Sequence, residues 1–143
     1  MRRKAMAVCL LGAVLLAGCG SGGSAKGVKT FTEPGTVNGE VTSAKRNESA
    51  VLIKAGGAAL INNAELSRKY AGKAGKADTA VVLLEAGKAV IKNSNLTSDA
   101  AGSAGILIGD TAEVEIADTA LSTAGEQSPG IETRGSGALY AWD

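Results

Sequence analysis

Few side chains in this 143-residue chain are suited to chemistry. No histidine occurs, which excludes Ser–His triads, His-ligated zinc and the most common general base. Three carboxylates lie close together in the stretch GDTAEVE, at Asp110, Glu113 and Glu115. Because a hard cation takes six to eight oxygen ligands, this short cluster favours a charged, solvated surface over a cation site.

Both cysteines, Cys9 and Cys19, lie in an N-terminal segment with the features of an export signal. A basic start, MRRK, precedes thirteen apolar residues, AMAVCLLGAVLLA. That run is shorter than the roughly 20 residues of a transmembrane helix and is typical of a secretory signal peptide. It ends in Leu16, Ala17, Gly18 and Cys19, which resemble the lipobox of bacterial lipoproteins. The resemblance implies that Cys19 is lipidated and becomes the first mature residue.

The lipobox divides the chain into three parts. We expect a signal peptide at residues 1–18, a lipidated cysteine with a flexible linker at residues 19–34, and a folded domain at residues 35–143. No thiol then remains for a disulfide, a metal site or a nucleophile. The chain would be a membrane-anchored lipoprotein on the extracytoplasmic side, with the membrane as its first partner.

The charge of the mature chain argues against a nucleic-acid partner. The full chain has 15 basic and 14 acidic side chains. Removal of Arg2, Arg3 and Lys4 leaves 12 against 14, a net charge of −2. Proteins that bind nucleic acid by neutralising phosphates are basic instead.

An internal repeat must position the remaining candidate residues. Similar phrases begin at Ala50, Ala80, Ala104 and Pro129, with offsets of 30, 25 and 25 residues between aligned apolar positions. Repeats of this length are typical of solenoids. The aligned sets are Val51, Val81, Ile106 and Ile131; Ile53, Leu83 and Ile108; Ala59, Ala89, Val114 and Leu139; Ile61, Ile91, Ile116 and Ala141; and Leu66, Leu96 and Leu121.

Each phrase predicts short strands separated by turns. Apolar residues alternate with period two, and turn-type sequences such as KAGG and RGSG lie between the strands. Over residues 35–143 this rhythm resembles the right-handed parallel β-helix of pectate-lyase-like and adhesin-like bacterial surface proteins. We therefore expect an all-β solenoid with about 25 residues per turn. The alternative is a leucine-rich repeat, although its asparagine would stand one residue later and it lacks the second strand pair.

The β-helix resemblance has further implications. A column of stacked side chains, each bonded to the neighbouring turn, is expected at Asn63, Asn93, Asp118 and Asp143. The repeat stops midway through its fourth phrase, which suggests a fragment of a longer β-helix. Pectate-lyase-like enzymes use clustered acidic residues to bind Ca²⁺ and an arginine as base, a role that would fall to Arg134 one turn after the acidic cluster.

Two groups of residues are candidates for binding. Tyr140 and Trp142 alternate with inward Leu139 and Ala141, so both should point outward, beside Glu115 and Ala117 of the previous turn, where they could stack on sugar rings. A second group of basic side chains lies in a longer loop that could contact acidic glycans, teichoic-acid-like polymers or lipid headgroups. It comprises Arg68, Lys69, Lys73 and Lys76.

The prediction from sequence is a lipid-anchored cell-surface β-helix that binds or displays, with no catalytic role. Its expected partner is extracellular polysaccharide or another surface, as for a carbohydrate-binding or adhesin-like protein. No cofactor is expected, with Ca²⁺ as the alternative. The competing functions are a β-helix polysaccharide lyase or hydrolase and a purely structural stalk.

Overall fold

The computed structural model describes residues 25–70 and 78–142, and the regular structure in these ranges consists of β-strands. The strands are β1 (Lys26–Phe31), β2 (Pro34–Ser43), β3 (Glu48–Ile53), β4 (Ala58–Arg68), β5 (Ala80–Leu84), β6 (Lys88–Lys92), β7 (Asn95–Ser98), β8 (Ala104–Ile108), β9 (Glu113–Ala117), β10 (Ala120–Thr123), β11 (Ile131–Thr133) and β12 (Ala138–Trp142). Within the same ranges there is no helix long and apolar enough to cross a bilayer.

The strands pair in parallel and form three faces. Face A is a five-stranded sheet in the order β11-β8-β5-β3-β1. The second sheet, β10-β7-β4-β6-β9-β12 with β2 beside β4, covers two faces because β4 bends. Residues 58–62 of β4 pair with β6 on face B, whereas residues 65–68 pair with β7 on face C.

The chain is therefore a parallel β-solenoid of about four turns. Each turn, or rung, passes through faces A, B and C in order, as in residues 48–68, 80–98 and 104–123. The expectation of stacked repeats is confirmed. The expected linker is too long, however, because β1 already pairs with β3 from Lys26 onward. The sequence of β1, KGVKTF, shows no regular alternation of buried and exposed residues that would have marked it as a strand.

The inner side of the solenoid is a single apolar core built of equivalent residues. Ile61 lies beside Ile91 and Ile91 beside Ile116, in one column, as the alignment predicted. Leu66 and Leu96 are likewise neighbours and fully buried. Small residues in the next column, such as Ala89, keep this core narrow.

The alignment is wrong by one residue on face A. Val51 pairs with Val82, and Ile53 pairs with Leu84, so Val81 and Leu83 do not occupy the expected positions. Strand β5 is apolar at every position and buried throughout. A continuous apolar run contains no alternation from which the inward side can be read.

The central strands of face A, β3, β5 and β8, are buried on both sides and offer no binding surface, whereas its edge strands β1 and β11 keep exposed residues such as Val28 and Ile131. Leu52, Leu83 and Leu107 alternate with the inward residues of their strands and form a second apolar cluster. Their exposed fractions are only 1%, 2% and 3%. Among the described residues, the accessible outer surfaces are those of faces B and C and of the two edge strands of face A.

The corners between faces B and C explain the predicted Asn/Asp column. Asn63, Asn93 and Asp118 stand at the same corner of successive rungs, with left-handed φ angles of 54°, 50° and 47°. Asparagine and aspartate tolerate this conformation better than most residues. The side-chain ladder expected between them is not what places them there, since the Asn93 amide Nδ2 donates to Asn62 Oδ1 at 3.2 Å. Asp143 lies outside the described residues.

Candidate functional site

Strand β12 places two aromatic rings on the outer side of face B. Tyr140 is 47% exposed and Trp142 is 60% exposed. The parallel register sets Tyr140 beside Glu115 and Trp142 beside Ala117 of β9. Because alternate residues of a strand point to the same side, the two rings stand on one flat surface, about 7 Å apart along the strand.

A small cavity lies at the foot of the Trp142 ring. Its volume is about 170 Å³, and its lining is Val90, Ile91, Lys92, Glu115, Ile116, Ala117 and Trp142. In the column that runs from Lys92 through Ala117 to Trp142, the alanine methyl leaves a gap between two long side chains. Pockets for drug-sized ligands are larger, about 300–1,000 Å³, so this cavity fits a single ring or an end group.

Two charged side chains, Lys92 and Glu115, line the cavity, and a further charged pair lies beside it on face B. Lys88 Nζ and Glu113 Oε1 form an ion pair at 3.0 Å across neighbouring strands. The hydrogen bond to Glu113, together with its negative charge, raises the pKa of Lys88 above its usual range. Neither Lys92 nor Glu115 takes part in an ion pair within residues 25–70 and 78–142. The cavity therefore offers an ammonium donor and a carboxylate acceptor to a ligand.

The acidic cluster does not converge on one point. Asp110 Oδ1 accepts a hydrogen bond from the Ser136 backbone N at 2.8 Å, and Glu113 pairs with Lys88. Only Glu115 points to the cavity beside Trp142. In the described part of the chain, no group of three or more Asp, Glu, His or Cys side chains is arranged to hold a metal ion.

Arg134 is engaged away from the acidic cluster. Its Nη1 lies 2.8 Å from Asp78 Oδ2, and its Nη2 lies 3.0 Å from Glu132 Oε1. The hydrogen bond to Asp78 is the main reason that the pKa of Arg134 is raised, and burial opposes it. The arrangement joins two segments 56 residues apart in the sequence. This arginine thus holds loops together rather than facing the three carboxylates.

Arg68 is not an exposed loop residue, which corrects the prediction for the basic group. Its side chain is fully buried, at 0% exposure. The guanidinium donates to three backbone carbonyl oxygens, those of Lys45 at 2.8 Å, Arg46 at 2.7 Å and Glu48 at 2.6 Å. Burial lowers the pKa of Arg68 from its ordinary value, while nearby Glu48 raises it. The buried guanidinium is therefore turned to the backbone and not to an external anion.

The burial of Arg68 follows from its position in the strand. It stands two residues after inward Leu66, so the alternation of β4 directs it inward. That spacing was the available signal, and the charge of the residue obscured it. Of the other basic residues, Lys69 is exposed, whereas Lys73 and Lys76 lie outside the described residues.

Face C carries a polar surface that the sequence motifs did not indicate. A depression of about 160 Å³ is lined by Glu40, Thr42, Glu65, Leu66, Ser67, Lys69 and Thr97. Three hydroxyl residues, Thr42, Ser67 and Thr97, stand in register on successive rungs, and the first two are hydrogen-bonded at 2.9 Å. Cross-strand hydroxyl pairs of this kind stabilise sheets on their own. Face C offers no aromatic ring among the residues lining this depression.

Face B is thus a better candidate for a binding surface than face C. It presents two exposed rings, a small cavity and two charged groups on a flat sheet. The lipobox residues Leu16, Ala17, Gly18 and Cys19 lie outside the described residues. Comparison with known proteins found no matching family model, no similar curated protein and no similar solved structure.

Proposed function

We propose that this protein is a carbohydrate-binding protein of the cell surface, and that the outer side of face B is its binding surface. The observation that supports the proposal is the pair of exposed rings, Tyr140 and Trp142, beside one small cavity. Large aromatic side chains are seldom exposed together without a partner, and their flat apolar faces match the C–H faces of sugar rings. The charged pair Lys92 and Glu115 can donate to and accept from sugar hydroxyls at the ring edge.

A binding role accounts for this surface better than catalysis does. A lyase or hydrolase would need carboxylates and a base within reach of one another. Asp110, Glu113 and Arg134 are each bonded to a different partner. The proposal includes the finer assignments from sequence: a right-handed solenoid, displayed in the manner of adhesin-like proteins and carried by a lipid on Cys19.

The proposal is tested by titration with neutral and acidic polysaccharides. Trp142 is the only tryptophan of the chain, so its fluorescence reports directly on occupation of face B. We expect one polysaccharide class to shift this emission. Trp142→Ala and Tyr140→Ala, assayed by calorimetry, should each weaken binding about tenfold or more, equivalent to about 1.4 kcal/mol.

The matched control is Val28→Ala. Val28 is 43% exposed on β1 of face A. The substitution therefore removes exposed apolar surface at a distance from face B. The Val28→Ala variant should bind the polysaccharide with the affinity of the wild type. If no polysaccharide binds the wild type, or if both aromatic variants bind as tightly as it does, the proposed function is wrong.

A further inference from the structure

Side chains on the outer side of face B form columns that run across the rungs. In one column Leu60 lies beside Val90, Val90 beside Glu115, and Glu115 beside Tyr140. Neighbouring strands lie 4.7–4.9 Å apart, so Leu60 stands about 14 Å from Tyr140. The column thus has an apolar side chain at each end and continues beyond the aromatic pair by three rungs.

Leu60 and Val90 depart from the polar character expected of an outer sheet surface. Leu60 is 40% exposed and Val90 is half-buried. One exposed leucine needs no explanation by itself. These two residues, however, are continuous with the aromatic pair, because Val90 lines the same cavity as Trp142. We call this outer strip the track: it is apolar at Leu60, at Val90 and at the two rings, and it carries the Glu115 carboxylate between Val90 and Tyr140.

The residues around the track leave space for a long ligand only in the direction across the rungs. Along the strands, the Lys88–Glu113 ion pair bounds the track on one side. On the other side the backbone bends away into face C at Asn63 and Asn93. Across the rungs, the surface continues in register from β12 to β4.

We propose that the ligand of face B is a linear oligosaccharide that lies across the rungs, with one sugar ring against Trp142 and Tyr140 and a later ring against Leu60. This inference rests on the proposed function and specifies its ligand. A cavity of about 170 Å³ holds one ring, so the remaining rings lie on the track. Leu60 then determines specificity for the length of the oligosaccharide. Lys92 and Glu115 form hydrogen bonds with the sugar rings between the two ends.

The experiment compares ligands of increasing length. The full chain is titrated with a monosaccharide-to-hexasaccharide series cut from the polysaccharide that binds best, with Trp142 fluorescence as readout. We expect the affinity to rise over the first few rings and then to level off. Leu60→Asn should weaken binding of the hexasaccharide about fivefold, because it removes apolar contact area, and leave binding of the disaccharide unchanged.

The control is Val28→Asn, the same change at an equally exposed apolar residue on face A. It should leave every affinity unaltered. Equal affinity for the disaccharide and the hexasaccharide, or equal behaviour of Leu60→Asn and Val28→Asn, overturns the extended ligand. If Trp142→Ala still weakens binding about tenfold or more in that case, the proposed function stands without the extended ligand. A wild-type protein that binds the polysaccharide but no oligosaccharide of the series overturns the extended ligand and leaves the proposed function standing.

Discussion

Arg68 is the residue whose role changes most once its surroundings are known. It shares the inward side of face C with small hydroxyl residues, Ser43 and Ser98, which leave room for its long side chain. Its guanidinium is satisfied by backbone carbonyl oxygens from residues 45–48, and its Nε donates to Ser103 Oγ at 3.3 Å. It therefore ties the corner between faces C and A across adjacent rungs.

We expect Arg68→Met to lower the free energy of unfolding by about 2–4 kcal/mol, because it leaves several buried carbonyl oxygens without a donor. Urea denaturation measures this loss. The neighbouring Lys69→Met is the control, since Lys69 is exposed, and its effect should stay within about 0.5 kcal/mol. Equal stability of the two variants would show that the carbonyl oxygens find other partners.

At the scale of the strands, the corner between faces B and C is decided by backbone conformation. Asn63, Asn93 and Asp118 hold left-handed φ angles there, and the first rung uses Gly39, with φ of 75°, at the corresponding bend. Side-chain-bearing residues pay a steric penalty in this region, which asparagine and aspartate partly relieve. The recurrence of these residues marks where each strand must turn.

This account predicts an ordering of stabilities for two variants of Asn93. Both Asn93→Ala and Asn93→Gly lose the hydrogen bond to Asn62, so the difference between them isolates the backbone. Alanine bears the left-handed penalty of about 1–2 kcal/mol, partly offset by the greater freedom of glycine in the unfolded chain. Thermal unfolding should find Asn93→Ala less stable by about 0.5–1 kcal/mol. A more stable alanine variant would contradict the corner as described.

At the scale of the whole molecule, the three faces differ in burial and polarity. The central strands of face A are buried on both sides, face C is polar, and face B carries the exposed rings. A binding surface on one side of a solenoid is useful on a cell surface if the domain is held there, which is the purpose of the proposed lipid on Cys19. Two acyl chains suffice for stable anchoring, whereas a single chain binds only marginally.

The anchor leads to a test in cells. We expect Cys19→Ala to move the protein from the membrane fraction to the soluble fraction, because it removes the lipobox cysteine that would receive the lipid. Fractionation followed by immunoblotting measures the distribution, and Cys9→Ala serves as the control that should stay in the membrane. A Cys19→Ala protein that remains fully in the membrane would exclude lipidation at this residue.

The sequence by itself was sufficient to predict the repeated parallel strands, the inward columns of faces B and C, and the outward direction of the two rings of β12. On these faces most inward residues are apolar and most outward residues are polar, so alternation reveals the orientation of most side chains; Arg68 inside face C and Leu60 outside face B are exceptions. Ile61, Ile91 and Ile116 were aligned correctly for this reason.

Tertiary structure alone decided three other points. The phase of face A depended on pairing with neighbouring strands, because strand β5 is apolar on both sides. The hydrogen-bond partners of Arg68 are carbonyl oxygens some 20 residues earlier, and the partner of Arg134 lies 56 residues away. Alternation records only whether a side chain faces water, whereas these contacts arise from which segments the stacking of rungs brings together.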